Sequence, residues 1–150
     1  MNILALDCAT KTGWAAYCDG AITESGVQDF AKRRGESNGL MFLKFRKWLK
    51  EIVWLWKPDL IAYERAHYRG GAATNVCVGL TTRVEEVAAL AESELAAVTT
   101  TELKKFATGG GKASKEDMVA AAQGHIGRPP IDDNEADAIM IAMWAANEYE

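Results

Sequence analysis

The stretch "NILALDCATKTGWAAY", residues 2–17, decides how this chain folds. Ile3, Leu4, Ala5 and Leu6 form an apolar run that reads as a buried strand, and the run ends on Asp7. A carboxylate at the end of a buried strand is costly unless something pairs with it. "TKTG" (Thr10 to Gly13) reads as a turn, "WAAYC" as a second strand, and Asp19-Gly20 as a hairpin signal. "AITESGVQDF" then supplies a third strand, so the first thirty residues predict an antiparallel meander.

Working outward, "GLMFLKFRKWLKEIVWLWKPD" places Phe42, Phe45, Leu49, Ile52 and Trp56 at helical spacing, with Lys44, Lys47 and Lys50 roughly opposite and Pro58 as the stop. It reads as a core helix with a solvated basic face rather than a DNA-contact face. "DLIAYE" is a short continuous apolar run, hence a fully buried strand, and it ends on Glu64. "RAHYRGGAATN" is a basic, aromatic loop. Residues 74–96 carry a helical pattern with Val76, Leu80, Val84, Val87 and Leu90 available for packing, and "AAVTT" predicts a last short strand. Two short helices flank the Gly-rich loop "TGGG", with Ser114 and Asp117 as a capping box. After Pro129-Pro130, "DDNEADAIMIAMWAANEY" is the final helix, with Asp132 as cap and Glu135 as its capping-box partner.

The totals fit one α/β domain spanning residues 1–150, with 49% hydrophobic and 25% charged residues. No secretory leader and no membrane span is expected, and Cys8, Cys18 and Cys77 read as reduced thiols of a cytoplasmic protein. The net charge of −4 argues mildly against nucleic acid, but Lys and Arg gather at positions 32–50 and 104–115 while acids gather near the C-terminus.

Three acids stand where the pattern calls for apolar residues: Asp7, Glu64 and Asp137. Clustered carboxylates raise one another's pKa, and a divalent cation removes that penalty. Oxygen-only ligands favour Mg2+ or Mn2+ over Zn2+, and neither His67 nor His125 has zinc-type spacing. Such a site suits phosphodiester hydrolysis with two ions and needs no Ser or Cys nucleophile. Lys104, Lys105, Lys112 and Lys115 surround the glycines, whose backbone can approach a phosphate closely, and Arg65, Arg69 and Arg83 extend the same basic set. Binding should weaken steeply with salt.

"ILALDCATKTGWA", "PDLIAYE", "LKKFATGGGKASKEDM" and "EADAIMIAMWA", in that order, resemble the RuvC family of Holliday junction resolvases, above all the compact forms carried by bacteriophages. The resemblance spans almost the whole chain. It implies an RNase H-like fold, a mixed five-stranded sheet flanked by helices. It also implies a homodimer that nicks opposing strands of four-way junctions, and forks and flaps besides, with Mg2+, for which Mn2+ can substitute. In a phage-encoded protein the compartment would be the host cytoplasm. By resemblance, Asp7, Glu64 and Asp137 are catalytic metal ligands. Lys104 and Lys115 are lysines that contact phosphates or assist the site, and Lys112, Arg65 and Arg69 join the DNA-binding set. His67 or Tyr68 stacks at the branch point, and residues 74–96 form the dimer contact. The chain departs from the family at Cys8-Ala9, where Pro-Gly is usual, and at Asn134, where Asp or His is usual. Asn134 can offer one neutral oxygen as the fourth ligand; Asp133, one turn before Asp137, is the alternative.

Three other readings stay open. A sugar-kinase hairpin is loosely matched by "LDCATKTG", but a second lobe would not fit in 150 residues. An RNase H-like nuclease acting on RNA ends is nearer. A junction-binding module without catalysis would explain Asn134.

Overall fold

A computed structural model describes residues 1–66 and 70–150. Five strands and five helices follow one another as β1 (Ile3–Asp7), β2 (Lys11–Cys18), β3 (Ala21–Asp29), α1 (Asn38–Trp56), β4 (Leu60–Glu64), α2 (Ala72–Leu90), β5 (Glu94–Val98), α3 (Thr100–Thr108), α4 (Lys115–Ile126) and α5 (Asp133–Tyr149). The sheet order is β3-β2-β1-β4-β5. The first three strands are antiparallel, as the meander predicts, and β1-β4 and β4-β5 are parallel. Asp19 and Gly20 turn the β2–β3 hairpin with φ of 52° and 86°, the double positive φ that a two-residue turn of this hand demands.

Alternation along the central strands sorts the core into two layers. Ile3 and Ala5 of β1, Leu60 and Ala62 of β4 and Ala96 and Val98 of β5 pack against α3, α4 and α5. Leu4, Leu6, Ile61 and Tyr63 point the other way, into α1 and α2. A period of two therefore turns Asp7 and Glu64 to the α5 side. The parallel register pairs Leu6 with Tyr63, and one step further brings the two acids side by side at the carboxyl ends of neighbouring strands. Ligands of open α/β sheets sit at that edge.

Four expectations shift. Lys11 to Gly13 belong to β2 rather than to a turn, because Gly13 pairs with Asp7 in the ladder; the reversal occupies residues 8–10. The buried stripe of α1 is Met41, Phe45, Leu49 and Val53, with Phe42, Ile52 and Trp56 half-buried at its border. The helix expected over 74–96 ends at Leu90, which is exposed. Glu92 takes a left-handed φ of 57°, and β5 claims residues 94–98, where pairing with β4 outweighs the helical pattern. Around α5, Asp132 caps the helix by accepting from Glu135 N, but the Glu135 side chain does not return to the cap backbone. It is drawn instead into an ion pair with Arg128, whose guanidinium reaches the buried carboxylate from the surface. Ser114 and Asp117 do form the full capping box of α4.

All three cysteines are free thiols. Among the described residues, no helix is long and apolar enough to cross a membrane.

Candidate metal and phosphodiester site

β1 delivers Asp7, β4 delivers Glu64, and the second turn of α5 delivers Asp137. One carboxylate oxygen from each lies within 4.8 Å of the others. Each side chain is half-buried at the lip of the apolar layer. Two local features bring α5 this close. The first is Gly13, which pairs with Asp7 and carries no Cβ; a Cβ there would stand 1.9 Å from the Asn134 carbonyl oxygen, so the first turn of α5 rests directly on the β2 backbone. A glycine inside a strand often marks such an approach.

The second feature is the anchor under α5. Glu135 is fully buried. Arg128 donates to both its oxygens, at 3.0 Å and 2.7 Å, Ser25 Oγ donates at 2.8 Å and the Ile131 N–H at 2.6 Å. Four donors satisfy the buried carboxylate, as its burial requires. The loop before α5 and strand β3 are thereby tied to the turn that carries Asp137.

The electrostatics of the cluster are those of a site built for a cation. Burial first, and then the charges of Asp137, Glu64, Asp133 and Asp132, hold the Asp7 carboxyl well above the usual carboxylate range. Burial, Glu64 and Asp133 push Asp137 up to about 7, against the opposing pull of Lys104 and Lys115. Three converging carboxylates repel, and the donor set is oxygen alone, which fits a hard divalent cation. The structure thus brings Asp7, Glu64 and Asp137 together, with Lys104 and Lys115 close enough to act on their charge.

The remaining expected residues distribute as follows. Asp133 stands outside the three-carboxylate group and pairs with Lys115 at 3.5 Å. The Asn134 amide donates to Asp132 Oδ2 at 3.4 Å. Lys112 is exposed in the loop between α3 and α4, and Arg65 is exposed just past β4. Arg83 is engaged elsewhere, with Glu86 at 3.2 Å and over the Phe42 ring at 5.5 Å. His67, Tyr68 and Arg69 lie outside the described residues. Sequence reasoning missed Gly13, the Glu135–Arg128 anchor and Thr100, whose hydroxyl donates to Glu64 Oε1. Only Gly13 carried a signal, a glycine amid strand-forming residues.

No family model matches the chain. Among curated proteins, the crossover junction endodeoxyribonuclease RuvC of Prochlorococcus marinus strain MIT 9312 is 28% identical over 129 residues, covering 85% of this chain and 81% of that protein. The RuvC of Prochlorococcus marinus subsp. pastoris is 28% identical over 127 residues, covering 83% and 80%. Among solved structures, Thermus thermophilus RuvC superposes with a TM-score of 0.80 at 20% identity over 99% of this chain and 96% of its own. The same protein in complex with a Holliday junction substrate gives 0.84 at 21% identity over 97% and 93%. The Fowlpox virus resolvase, also seen with Holliday junction DNA, gives 0.64 at 9% identity over 97% of this chain and 99% of its own. The sheet is therefore the RNase H-like arrangement expected. In sequence over most of its length, and in fold over nearly all of it, this chain is similar to the RuvC crossover junction endodeoxyribonucleases.

Proposed function

We propose that this chain is a metal-dependent, structure-selective endonuclease that nicks Holliday junctions. The observation that carries the reading is the convergence of Asp7, Glu64 and Asp137 at the carboxyl edge of the sheet. The RuvC relatives supply the substrate class, four-way junction DNA, and we extend it to forks and flaps.

Asp7, Glu64 and Asp137 would hold Mg2+, or Mn2+ in its place, with two ions per site; Asn134 Oδ1 is the fourth donor we favour and Asp133 the alternative. The chemistry such a cation supplies when bound is Lewis-acid stabilisation of charge on the phosphate and on an attacking water. The chain does the rest. Lys104 and Lys115 place positive charge beside Asp137, where they can steer a phosphodiester onto the carboxylates and offset charge on the leaving oxygen. Lys115 and Lys112, at the end of a glycine loop that lets backbone approach a phosphate, extend the grip outward, and Arg65 extends it from β4. We assign His67, Tyr68 and Arg69 to the same DNA surface. Lining one face, these basic groups would let a chain of net charge −4 bind DNA there. We further propose a single domain over residues 1–150 acting in the cytoplasm as a homodimer through α2, which would set two such edges side by side for paired nicks.

One observation favours a second reading. Asn134 stands where the family has an acid or His, and a lost charge there would suit a junction-binding module without catalysis. One assay decides. An end-labelled, immobile four-way junction is incubated with the protein in Mg2+ and in EDTA, beside Glu64→Gln. Paired symmetric nicks in the parent only, and with metal only, are expected. Binding without nicks in both Mg2+ and Mn2+ would overturn the nuclease reading.

A further inference from the structure

Glu64 ends β4 with a carboxylate whose own last torsion is soft, since terminal sp3–sp2 torsions are broad and roughly two-fold. A strand end alone does not fix which way its oxygens face. In this chain a second element reaches the carboxylate: the Thr100 hydroxyl donates to Glu64 Oε1. The placement follows from the ladder. Glu64 pairs with Val98 of β5, and two residues later the chain enters α3 with Thr100 as its first residue. The turn that carries Thr100 is pinned on every side. Thr99 caps it by accepting from Glu102 N at 3.2 Å and donating to Glu102 Oε1 at 3.0 Å. Leu103 is buried in the α5-side core, and the Arg65 N–H donates to the Val98 carbonyl at 2.8 Å, which fixes the exit of β4. A β-branched residue on such a turn has few χ1 choices, so its hydroxyl arrives already oriented.

We propose that Thr100 is a positioning residue of the metal site. Its hydroxyl occupies one Glu64 oxygen and sets the rotation of the carboxylate, so that Glu64 keeps a ligand oxygen within the cluster it forms with Asp7 and Asp137. Partners of this kind, one shell out from a ligand, are worth about ten- to hundredfold in metal affinity. The inference rests on the reading of the carboxylate cluster as a cation site.

The test is a calorimetric Mn2+ titration of the metal-free protein, with no DNA present, for the parent, Thr100→Val and Thr100→Ser. Melting temperatures in EDTA and single-turnover nicking of an immobile junction accompany it. Thr100→Val keeps the shape and removes the donor. It should weaken Mn2+ binding about ten- to hundredfold, shift the metal dependence of nicking to match, and leave the EDTA melting temperature near that of the parent. Thr100→Ser should restore most of the affinity. A merely structural threonine would instead lower the melting temperature and leave the Mn2+ affinity of the folded protein unchanged. Thr100→Val with the parent's Mn2+ affinity overturns the proposal, and so does Thr100→Ser as weak as Thr100→Val. If Thr100→Val does not fold, Thr100→Ala against Thr100→Ser makes the same comparison. A parent that binds no Mn2+ and makes no nicks overturns the metal-site reading itself, whereas a parent that does both beside an unaffected Thr100→Val overturns only the role of Thr100.

Discussion

Replacing Gly13 by alanine adds one methyl group at the point where α5 lies on the sheet. The new Cβ would start 1.9 Å from the Asn134 carbonyl oxygen and 2.3 Å from its carbonyl carbon, and real Cβ contacts essentially never fall below 3.0 Å. Both obstacles are backbone, so no side-chain rotation relieves them. The first turn of α5 and strand β2 must part by about 1.1 Å, and Asp137, three residues past Asn134, moves with that turn. Overpacking of this kind costs about 1–3 kcal/mol, or several degrees of melting temperature for a chain of this length. The effect on chemistry should be larger in proportion, since a misplacement of about 1 Å can lower a rate about a hundredfold. Thermal denaturation in EDTA reads the first quantity and single-turnover nicking in saturating Mg2+ the second, with a gel-shift in EDTA to show that junction binding persists. Gly124→Ala is the internal control: it adds the same methyl group in α4, where nothing lies within 4 Å. A Gly13→Ala protein that melts with the parent and nicks within about twofold of it would refute the claim that this contact sets the position of Asp137.

Further outcomes are expected. Gly124→Ala itself should stabilise the protein by roughly 0.5–1 kcal/mol in urea denaturation, because glycine inside a helix carries an entropy cost that alanine does not. Arg128→Ala removes two hydrogen bonds to the buried Glu135 carboxylate from a half-exposed guanidinium that water can partly replace, and should cost about 1–2 kcal/mol; a loss under about 0.5 kcal/mol by the same method would mean that the Ser25 and Ile131 donors suffice. Burial pushes Glu135 up but its donors hold it below its ordinary value, so this anchor is fully present at neutral pH and is lost only as the solution is acidified below about pH 4. Asp7 and Asp137 behave oppositely. Raised carboxyls favour the folded state while protonated, and that contribution is lost as pH rises from the ordinary carboxylate range through about 7, by at most about 4 kcal/mol for Asp137. Calorimetry in EDTA should therefore give a higher melting temperature at pH 5 than at pH 8, Mg2+ should raise it more at pH 8, and Asp7→Asn should raise it at pH 8 without metal while abolishing nicking. A metal-free protein equally stable at both pH values would contradict the charge crowding described here.

The carboxylates were legible because each broke a pattern. Asp7 and Glu64 close apolar runs, and Asp137 sits in a helix whose other positions are largely Ala, Ile, Met and Trp. That the two strand-end acids share a face follows only once β1 and β4 are paired in parallel register. What escaped depends on contacts between distant segments. Nothing in "AESELAAV" announces that the chain leaves the helix at Leu90, because the reversal rests on a left-handed Glu92, a residue type that seldom adopts that conformation. Gly13 was visible as a glycine but read as a turn, since its reason is the backbone of residue 134 and not its own neighbours. Glu135 fitted a local capping pattern, and its real partner, Arg128, lies across Pro129-Pro130, where helix spacing rules say nothing. Thr100 reaches Glu64 only once β4 and β5 are paired.

The sheet order has a consequence for when the protein can act. Asp7 is made first and Asp137 much later, and the helix bearing Asp137 packs on strands synthesised more than a hundred residues earlier. At ordinary rates of translation, roughly ten seconds separate the emergence of the second carboxylate from that of the third. During that interval the nascent chain gains its basic loop beside two of its acids, yet its three-carboxylate centre is incomplete. On the proposed function, docking of α5 is thus the arming step, since the three-carboxylate centre is incomplete without Asp137.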